Sequence, residues 1–258
     1  MAVGIKEVAK HAGVSSATVS RVLANKPHVR SELRERVMSS VRTLGYQPNR
    51  VARSLRVQQS AVIGLIISDI QNSFFNTIVR AIEDYAYEQG YAVFLCNSDE
   101  NPEKEQLYLD VLRAERVAGI ILTPTRETAR ACQSLLDAGI PVVALDRKIA
   151  GLEMDTVLTD NVNASYKLVK SLIAQGHQRI VAILAGLNMT TGRERFEGYQ
   201  QAMQEANLDT IYYAGKPIVD DGYALTKTCF EEHKPTALFS GTKPITLGML
   251  RFLFEANL

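Results

Sequence analysis

Four residues near the start of the chain could contact DNA bases if they lie at the beginning of a helix. Ser16, Ala17, Ser20 and Arg21 follow the turn sequence at residues 13–15, Gly-Val-Ser. In a helix-turn-helix motif, the first residues of the second helix reach base edges in the major groove. The spacing therefore predicts a DNA-reading surface. A plain helical hairpin that packs elsewhere is the alternative.

Two short helices, within residues 5–24, must position these side chains. Gly13 can turn the chain at positive φ without steric cost, and Ser15 can cap the second helix by accepting a backbone N–H. A third helix is predicted from Ser31, a natural N-cap, to Leu44, just before Gly45. Apolar residues recur at helical spacing and predict a three-helix core: Ile5, Val8, Ala9, Ala12, Val19, Val22, Leu23, Leu33, Val37, Val41 and Leu44.

A fourth, shorter helix is predicted in residues 46–56, where Pro48 suits a first helical turn. Val51, Ala52 and Leu55 would form its apolar stripe. A helix of about two turns is marginal alone, so this one needs a partner or a ligand. Arginines on its other face suggest DNA as the ligand. Residues 57–60 read as a polar linker.

Charge is distributed unevenly along a chain whose formal net charge is only +1. Residues 1–60 hold eleven Lys and Arg and three Glu, a balance of +8, whereas residues 61–258 hold 18 basic and 25 acidic residues, a balance of −7. A basic first segment on an acidic body predicts a polyanionic partner at the first segment.

Several protein classes are disfavoured by the sequence. No apolar run approaches the roughly 18 residues of a membrane span, and the first residues lack the apolar core of a secretory signal, which predicts a cytoplasmic protein with no membrane partner. Cys96, Cys132 and Cys229 are far apart and are expected to be reduced thiols. There is no GxGxxG, GxxxxGK[ST] or GxSxG motif, and the four histidines lack metal-ligand spacing. We therefore expect no enzyme, no metal and no cofactor.

From residue 61, apolar β-branched runs alternate with amphipathic helices, which predicts parallel sheets covered on both faces. Strands are predicted at Val62–Ser68, Tyr91–Asn97, Ala118–Thr123, Val142–Leu145, Thr156–Thr159, Arg179–Ala185, Ile211–Tyr213 and Thr236–Ser240. Helices are predicted at Phe74–Gln89, Pro102–Glu115, Glu127–Ala138, Ala164–Gln175, Arg193–Ala206, within 221–233 and at Ile245–Asn257.

The expected organisation is α/β and has four parts. They are a helix-turn-helix domain at 1–47, a hinge helix and linker at 48–60, and two doubly wound parallel-sheet subdomains at 61–155 and 156–258. Ligands of open α/β sheets bind beyond the carboxyl ends of the strands, so the cleft between the subdomains is the predicted small-molecule site.

Three groups of motifs in this sequence resemble those of the lactose/galactose-repressor (LacI/GalR) family of bacterial transcription regulators. They are IKEVAKHAGVSSATVSRVLANK at 5–26, GYQPNRVARSLR at 45–56, and a body pattern that includes VIGLIISDIQNSFF at 62–75, VAGIILTP at 117–124 and GHQRIVAILAG at 176–186. The resemblance covers the whole chain and implies body subdomains of periplasmic-binding-protein type.

The resemblance implies a homodimer bound to double-stranded operator DNA of near-palindromic sequence. It places paired hinge helices in the minor groove, with Leu55 as a wedge between base pairs. Arg21 becomes the strongest candidate for a bidentate guanine contact. The positions that match DNA-contacting ones are Ser15, Ser16, Ala17, Thr18, Ser20, Arg21, Asn25, His28, Ser31, Asn49, Val51, Ala52 and Leu55.

The resemblance also implies a small carbohydrate-like effector in the cleft. The matching positions are Asp69, Phe74, Phe75, Arg147, Asp160, Thr191, Arg195 and Lys243. Core packing at the start of a helix is an equally weighted interpretation of Phe74 and Phe75. For Asp146, a capping role at a strand end stands beside a ligand role.

Two departures from the family pattern affect the functional prediction. Acids are frequent in the family at the positions of Thr242-Lys243-Pro244 and Lys216. One hypothesis is that the cleft carries excess positive charge and binds a sugar acid or sugar phosphate. Pairing of Lys243 with a neighbouring carboxylate is the alternative. The family also continues beyond residue 258, so the second subdomain is expected to be incomplete. Two alternative functions remain open: an effector-insensitive DNA-binding protein and a small-molecule-binding module without a regulatory role.

Overall fold

The computed structural model describes residues 3–24, 27, 29–46, 60–125 and 128–258. Contacts divide the chain into two compact units, Met1–Ser60 and Ala61–Leu258. The predicted hinge helix, with Asn49, Val51, Ala52 and Leu55, lies outside the described residues, as do Asn25 and His28.

The described part of the first unit contains three helices, α1 (Ile5–Ala12), α2 (Ser16–Leu23) and α3 (Ser31–Thr43), as predicted. Gly13 has φ of +64°, and the N–H of Val14 donates to the carbonyl of Ala9 at 3.0 Å, which closes α1 and turns the chain into α2. The N-cap of α3 is Arg30 rather than the predicted Ser31, which is the first helical residue.

Six buried side chains form the core between these helices: Val8, Ala9, Ala12, Val19, Val22 and Val37. Burying a valine contributes about 1.5–3 kcal/mol. Arg36 of α3 also binds α1, because its Nη2 donates to the carbonyl of Ala12 at 2.7 Å. Arg36 thus satisfies a carbonyl at the end of α1, which is a structural role.

The described residues of the second unit form two parallel sheets. The first has the order β2-β1-β3-β4-β5 and the second β7-β6-β8. The elements of the first are β1 (Val62–Ile67), α4 (Ser73–Glu88), β2 (Ala92–Asn97), α5 (Pro102–Ala114), β3 (Gly119–Leu122), α6 (Ala129–Asp137), β4 (Val142–Leu145) and β5 (Thr156–Val157). Those of the second are α7 (Asn161–Ala174), β6 (Ile180–Ala185), α8 (Thr190–Glu205), β7 (Ile211–Gly215), α9 (Val219–His233), β8 (Ala237–Ser240) and α10 (Lys243–Glu255).

The predicted α/β architecture is confirmed, and one strand assignment is wrong. The strand predicted at Thr156–Thr159 does not begin the second sheet. It forms β5, which pairs with β4 at the edge of the first sheet. Its shortness explains the error, since two paired residues give little apolar alternation to assign it to either sheet.

Several helices begin earlier than predicted, and polar side chains cap two of them. Asn72 accepts from the N–H of Phe74 at 3.1 Å, so α4 starts at Ser73. Asp160 accepts from the N–H of Asn163 at 3.1 Å, so α7 starts at Asn161, three residues before the prediction. Helices α8 and α10 start at Thr190 and Lys243 rather than Arg193 and Ile245. These earlier starts bring helix N-termini to the ends of the strands.

The central strands are buried on both faces, as parallel sheets require. All six residues of β6 are buried. All three cysteines are free, and burial raises the pKa of the Cys132 thiol to about 12 and that of Cys229 to about 11. None of the described helices is long and apolar enough to cross a membrane.

Candidate functional site

The exposed face of α2 is the candidate DNA-reading surface. Val19 and Val22 are buried, so the opposite face of the helix, with Ala17 and Arg21, is exposed. The Oγ of Ser15 accepts from the N–H of Thr18 at 3.2 Å and lies 3.0 Å from its hydroxyl. Ser15 is therefore the predicted N-cap, and Arg21 is the long cationic side chain on this face.

The remaining predicted residues of this surface have mixed exposure. Ser16 and Ser20 are half-buried, whereas Ser31 is exposed at the start of α3. Lys6, Lys10, Arg30 and Arg42 are also exposed on this unit. The described part of the first unit thus offers several cations to a polyanion, and it lacks large apolar side chains on the outer face of α2.

A cavity of about 790 Å³ lies at the carboxyl ends of the strands of both sheets, and we call it the strand-end cavity. Ser68 and Asp69 follow β1, Asp146 follows β4, and Gly186 follows β6. Seven of the eight predicted effector contacts line it: Asp69, Phe74, Phe75, Arg147, Thr191, Arg195 and Lys243. The eighth, Asp160, is not among the lining residues, and its carboxylate caps α7.

The two adjacent phenylalanines have different environments. Phe75 is 3% exposed and packs with Leu65 and Ile67 in the core, whereas Phe74 is 43% exposed. Their rings meet edge to face with centroids 5.1 Å apart. Phe75 is therefore a core residue, which is one of the two roles predicted for this pair. Phe74 is the ring that a molecule entering the cavity would contact.

Arg147 is bound to a carboxylate that sequence reasoning missed. Its Nη1 donates to Glu100 Oε2 at 2.7 Å and its Nη2 to Glu100 Oε1 at 2.6 Å. Burial opposes the charge of Arg147, but the hydrogen bonds and the charge of Glu100 outweigh it, and the pKa of the guanidinium is raised. Glu100 follows the end of β2 by three residues and immediately precedes the N-cap of α5, Asn101. Its position close to the carboxyl end of a predicted strand could have identified Glu100 as a lining residue from the sequence.

Arg195 links three elements at the other side of the cavity. Its Nε donates to Asn161 Oδ1 at 3.1 Å, and its Nη1 donates to the carbonyl of Gly241 at 3.1 Å. Burial lowers the pKa of this guanidinium, although the nearby Asp146 carboxylate opposes that effect. Arg195 is therefore a partly dehydrated cation that an acceptor in the cavity could approach.

Lys243 connects a helix that follows a strand of the second sheet to a helix that follows a strand of the first sheet. Its Nζ donates to the hydroxyl of Ser73 at 2.9 Å, which joins the first residues of α10 and α4. Lys243 pairs with no carboxylate among the described residues. Lys216, the other lysine of the predicted departure, is not among the lining residues of the cavity.

The predicted excess of positive charge in the cavity is not found among its lining residues. Three cations, Arg147, Arg195 and Lys243, face three carboxylates, Asp69, Glu100 and Asp146. Asp146 is 8% exposed with φ of +68°, and burial raises the pKa of its carboxyl. The expectation was wrong because it omitted Glu100.

Two family matches cover most of the chain. Residues 4–49 match the family described as "Bacterial regulatory proteins, lacI family". Residues 60–258 match the family described as "Periplasmic binding proteins and sugar binding domain of LacI family".

Similar proteins include several repressors. A ribose operon repressor of Halalkalibacterium halodurans is 37% identical over 249 residues, which are 96% of this chain and 74% of that protein. A repressor named PurR from Actinobacillus pleuropneumoniae is 36% identical over 258 residues, 98% of this chain and 77% of that protein. The solved lac repressor dimer bound to operator and the anti-inducer ONPF has a TM-score of 0.86 and 27% identity, covering 100% of this chain and 79% of that chain.

Proposed function

The chain belongs to the LacI family of bacterial regulatory proteins, and we propose that α2 reads operator DNA under the control of a small neutral sugar in the strand-end cavity. It is an effector-controlled DNA-binding regulator, like the repressors that it resembles. The observation that carries the proposal is the pairing, in one chain, of a basic helix-turn-helix unit with a unit that has a ligand-sized cavity.

Arg21 is the proposed base-reading residue. It is exposed in the last turn of α2, on the face opposite the buried Val19 and Val22. The hydroxyls of Ser15 and Thr18 bond to each other, and Ala17 has only a methyl group to offer. A bidentate contact of arginine with guanine contributes about 1–3 kcal/mol of discrimination between bases. Arg21 should therefore provide most of the sequence preference of this helix.

Arg21→Ala tests this proposal, with Arg42→Ala on α3 as the matched control. An operator would be selected from random duplexes with the wild-type protein, and affinities measured by fluorescence anisotropy at one fixed salt concentration. Arg21→Ala should weaken operator binding about 5- to 150-fold, with a much smaller effect on random DNA. Arg42→Ala should leave the ratio of the two affinities unchanged. An unchanged ratio in Arg21→Ala would contradict the proposal.

The second element of the proposal is a pair of identical subunits on a near-palindromic operator. The solved lac repressor that this chain resembles is a dimer bound to operator. The predicted pairing of Leu55 between subunits concerns residues outside those described. Sedimentation of the protein with and without operator would test the stoichiometry, and one subunit bound per operator would contradict it.

A neutral sugar is the proposed effector. The charges that line the cavity balance, Phe74 offers an exposed ring, and one relative is named a ribose operon repressor. A sugar acid or sugar phosphate is the second candidate, because Arg195 and Lys243 pair with no carboxylate among the described residues. Calorimetric titration with D-ribose, D-ribonate and D-ribose 5-phosphate would separate the two. Binding of only the acidic compounds would favour the second candidate.

A further inference from the structure

Glu100 lies in a turn that its neighbours hold in place. Asp99 and Glu100 have φ of +52° and +57°, values that non-glycine residues seldom adopt. The carboxylate of Asp99 accepts from Asn97 Nδ2 at 2.6 Å and from the amine of Lys104. The N–H of Glu100 donates to the carbonyl of Ser68 at 3.1 Å. These contacts fix the backbone of the turn whatever the Glu100 side chain binds.

The side chain of Glu100 occupies both terminal nitrogens of Arg147. The two hydrogen bonds, of 2.7 and 2.6 Å, form a bidentate pair. The side chain of Arg147 is 11% exposed and that of Glu100 is 40% exposed, so the carboxylate lies on the solvent side of the pair. Nη1 also approaches the carbonyl of Pro124 at 3.4 Å. A molecule in the cavity would meet the carboxylate before the guanidinium.

This arrangement matters because a guanidinium fork is the protein group best matched to carboxylate and phosphate. A sugar acid that used Arg147 would have to displace Glu100 and leave its carboxylate beside the ligand's own negative charge. The hydroxyls of a neutral sugar can instead donate to Glu100. Without Glu100, the lining would keep three cations and two carboxylates, Asp69 and Asp146.

We propose that Glu100 is a specificity-determining residue, which excludes anionic sugars from the strand-end cavity by occupying the guanidinium fork of Arg147. The proposal rests on the proposed function of the cavity as a sugar site. It goes beyond that function, because it assigns the choice between neutral and anionic sugars to one carboxylate.

The test compares Glu100→Gln with the wild type and with Glu103→Gln. Glu103 is exposed in the first turn of α5 and is not among the lining residues, so its substitution makes the same change in net charge away from the cavity. The probes are D-ribose and D-glucose, their aldonic acids and their terminal phosphate esters, titrated by calorimetry. Glu100→Gln should raise the ratio of anionic to neutral affinity at least tenfold, and Glu103→Gln should leave it unchanged.

The outcomes separate the two proposals. If the wild type binds a neutral sugar and Glu100→Gln keeps the wild-type ratio, the role of Glu100 is refuted and the sugar site stands. If the wild type prefers the anionic probes, the role of Glu100 is refuted as well. If the wild type binds none of the probes, the proposed effector class fails first. Thermal unfolding would check each variant, and Glu100→Ala would replace a Glu100→Gln protein that does not fold.

Discussion

Replacing Gly13 by alanine should destabilise the DNA-reading unit in two separable ways. Gly13 has φ of +64°, and a Cβ atom added there would lie 2.9 Å from Nη2 of Arg36. That same nitrogen donates to the carbonyl of Ala12 at 2.7 Å. Gly45 also has positive φ, +59°, but a Cβ atom there would meet nothing within 4 Å. Gly45→Ala is therefore a control that isolates the backbone cost.

The magnitudes follow from these contacts. An alanine in the left-handed region costs about 1–2 kcal/mol. The Arg36 side chain is flexible and exposed, so it can swing away without a rigid clash, and the loss is its bond to the Ala12 carbonyl. A hydrogen bond from a charged donor contributes about 1.5–3 kcal/mol, and solvent exposure places this one at the lower end. Gly13→Ala should thus cost about 2.5–3.5 kcal/mol, against about 1–2 kcal/mol for Gly45→Ala.

Hydrogen exchange with mass spectrometric detection can measure these costs in the first unit alone. Peptides from α1 and α2 should lose protection corresponding to the costs above, and operator affinity should fall most in Gly13→Ala. Sugar binding should be unchanged, because the residues that line the strand-end cavity belong to the second unit. If the two variants lose equal protection, the hydrogen bond from Arg36 contributes nothing, and the reasoning is wrong.

Two predictions concern the second unit. The buried hydroxyl of Tyr199 accepts from the N–H of Ile211 at 3.1 Å and lies 2.9 Å from the carbonyl of Ile180, so Tyr199→Phe should cost about 1–3 kcal/mol and lower the Tm in calorimetry. An unchanged Tm would show that these backbone groups find other partners. Burial raises the pKa of Asp146, so its ionised form is disfavoured in the fold, and wild-type stability falls as pH rises from 3.8 through the raised value. Asp146→Asn removes the ionisable carboxyl, so the variant should unfold at a higher denaturant concentration than the wild type at neutral pH. It should also weaken sugar binding. A variant that is less stable than the wild type at neutral pH would contradict the predicted direction of the stability change.

The regular elements could be predicted from the sequence because apolar periodicity and turn residues act locally. The helical spacing of apolar residues such as Val8, Val19 and Val37 predicted the core of the first unit. Continuous apolar runs predicted the strands β1 and β6. The starts of α4 and α7 were missed because Asn72 and Asp160 cap them before the apolar pattern begins. Capping depends on one side chain and one N–H, which periodicity does not detect.

The sequence predicted those lining residues of the strand-end cavity whose location follows from their position at the end of a strand. Residues that follow parallel strands meet at one edge, which brought Asp69, Arg147 and Lys243 to one cavity. The partners of those residues were not predictable. Lys243 donates to Ser73, which is 170 residues away in sequence. Such a pair depends on the angle between two sheets, which no local pattern contains.

The net charge of the strand-end cavity depends on a contact of this kind, between Arg147 and Glu100. The strand-end rule supplies Arg147, Arg195 and Lys243 with Asp69 and Asp146, a set with one excess positive charge that would favour an anionic ligand. Glu100 enters the same cavity from a left-handed turn and removes the excess. It also occupies both terminal nitrogens of Arg147, which could otherwise have bound a carboxylate or phosphate together. The charge balance of the cavity therefore depends on Glu100, which lies outside the helices and strands of the described residues. The ligand class that we propose follows from that balance.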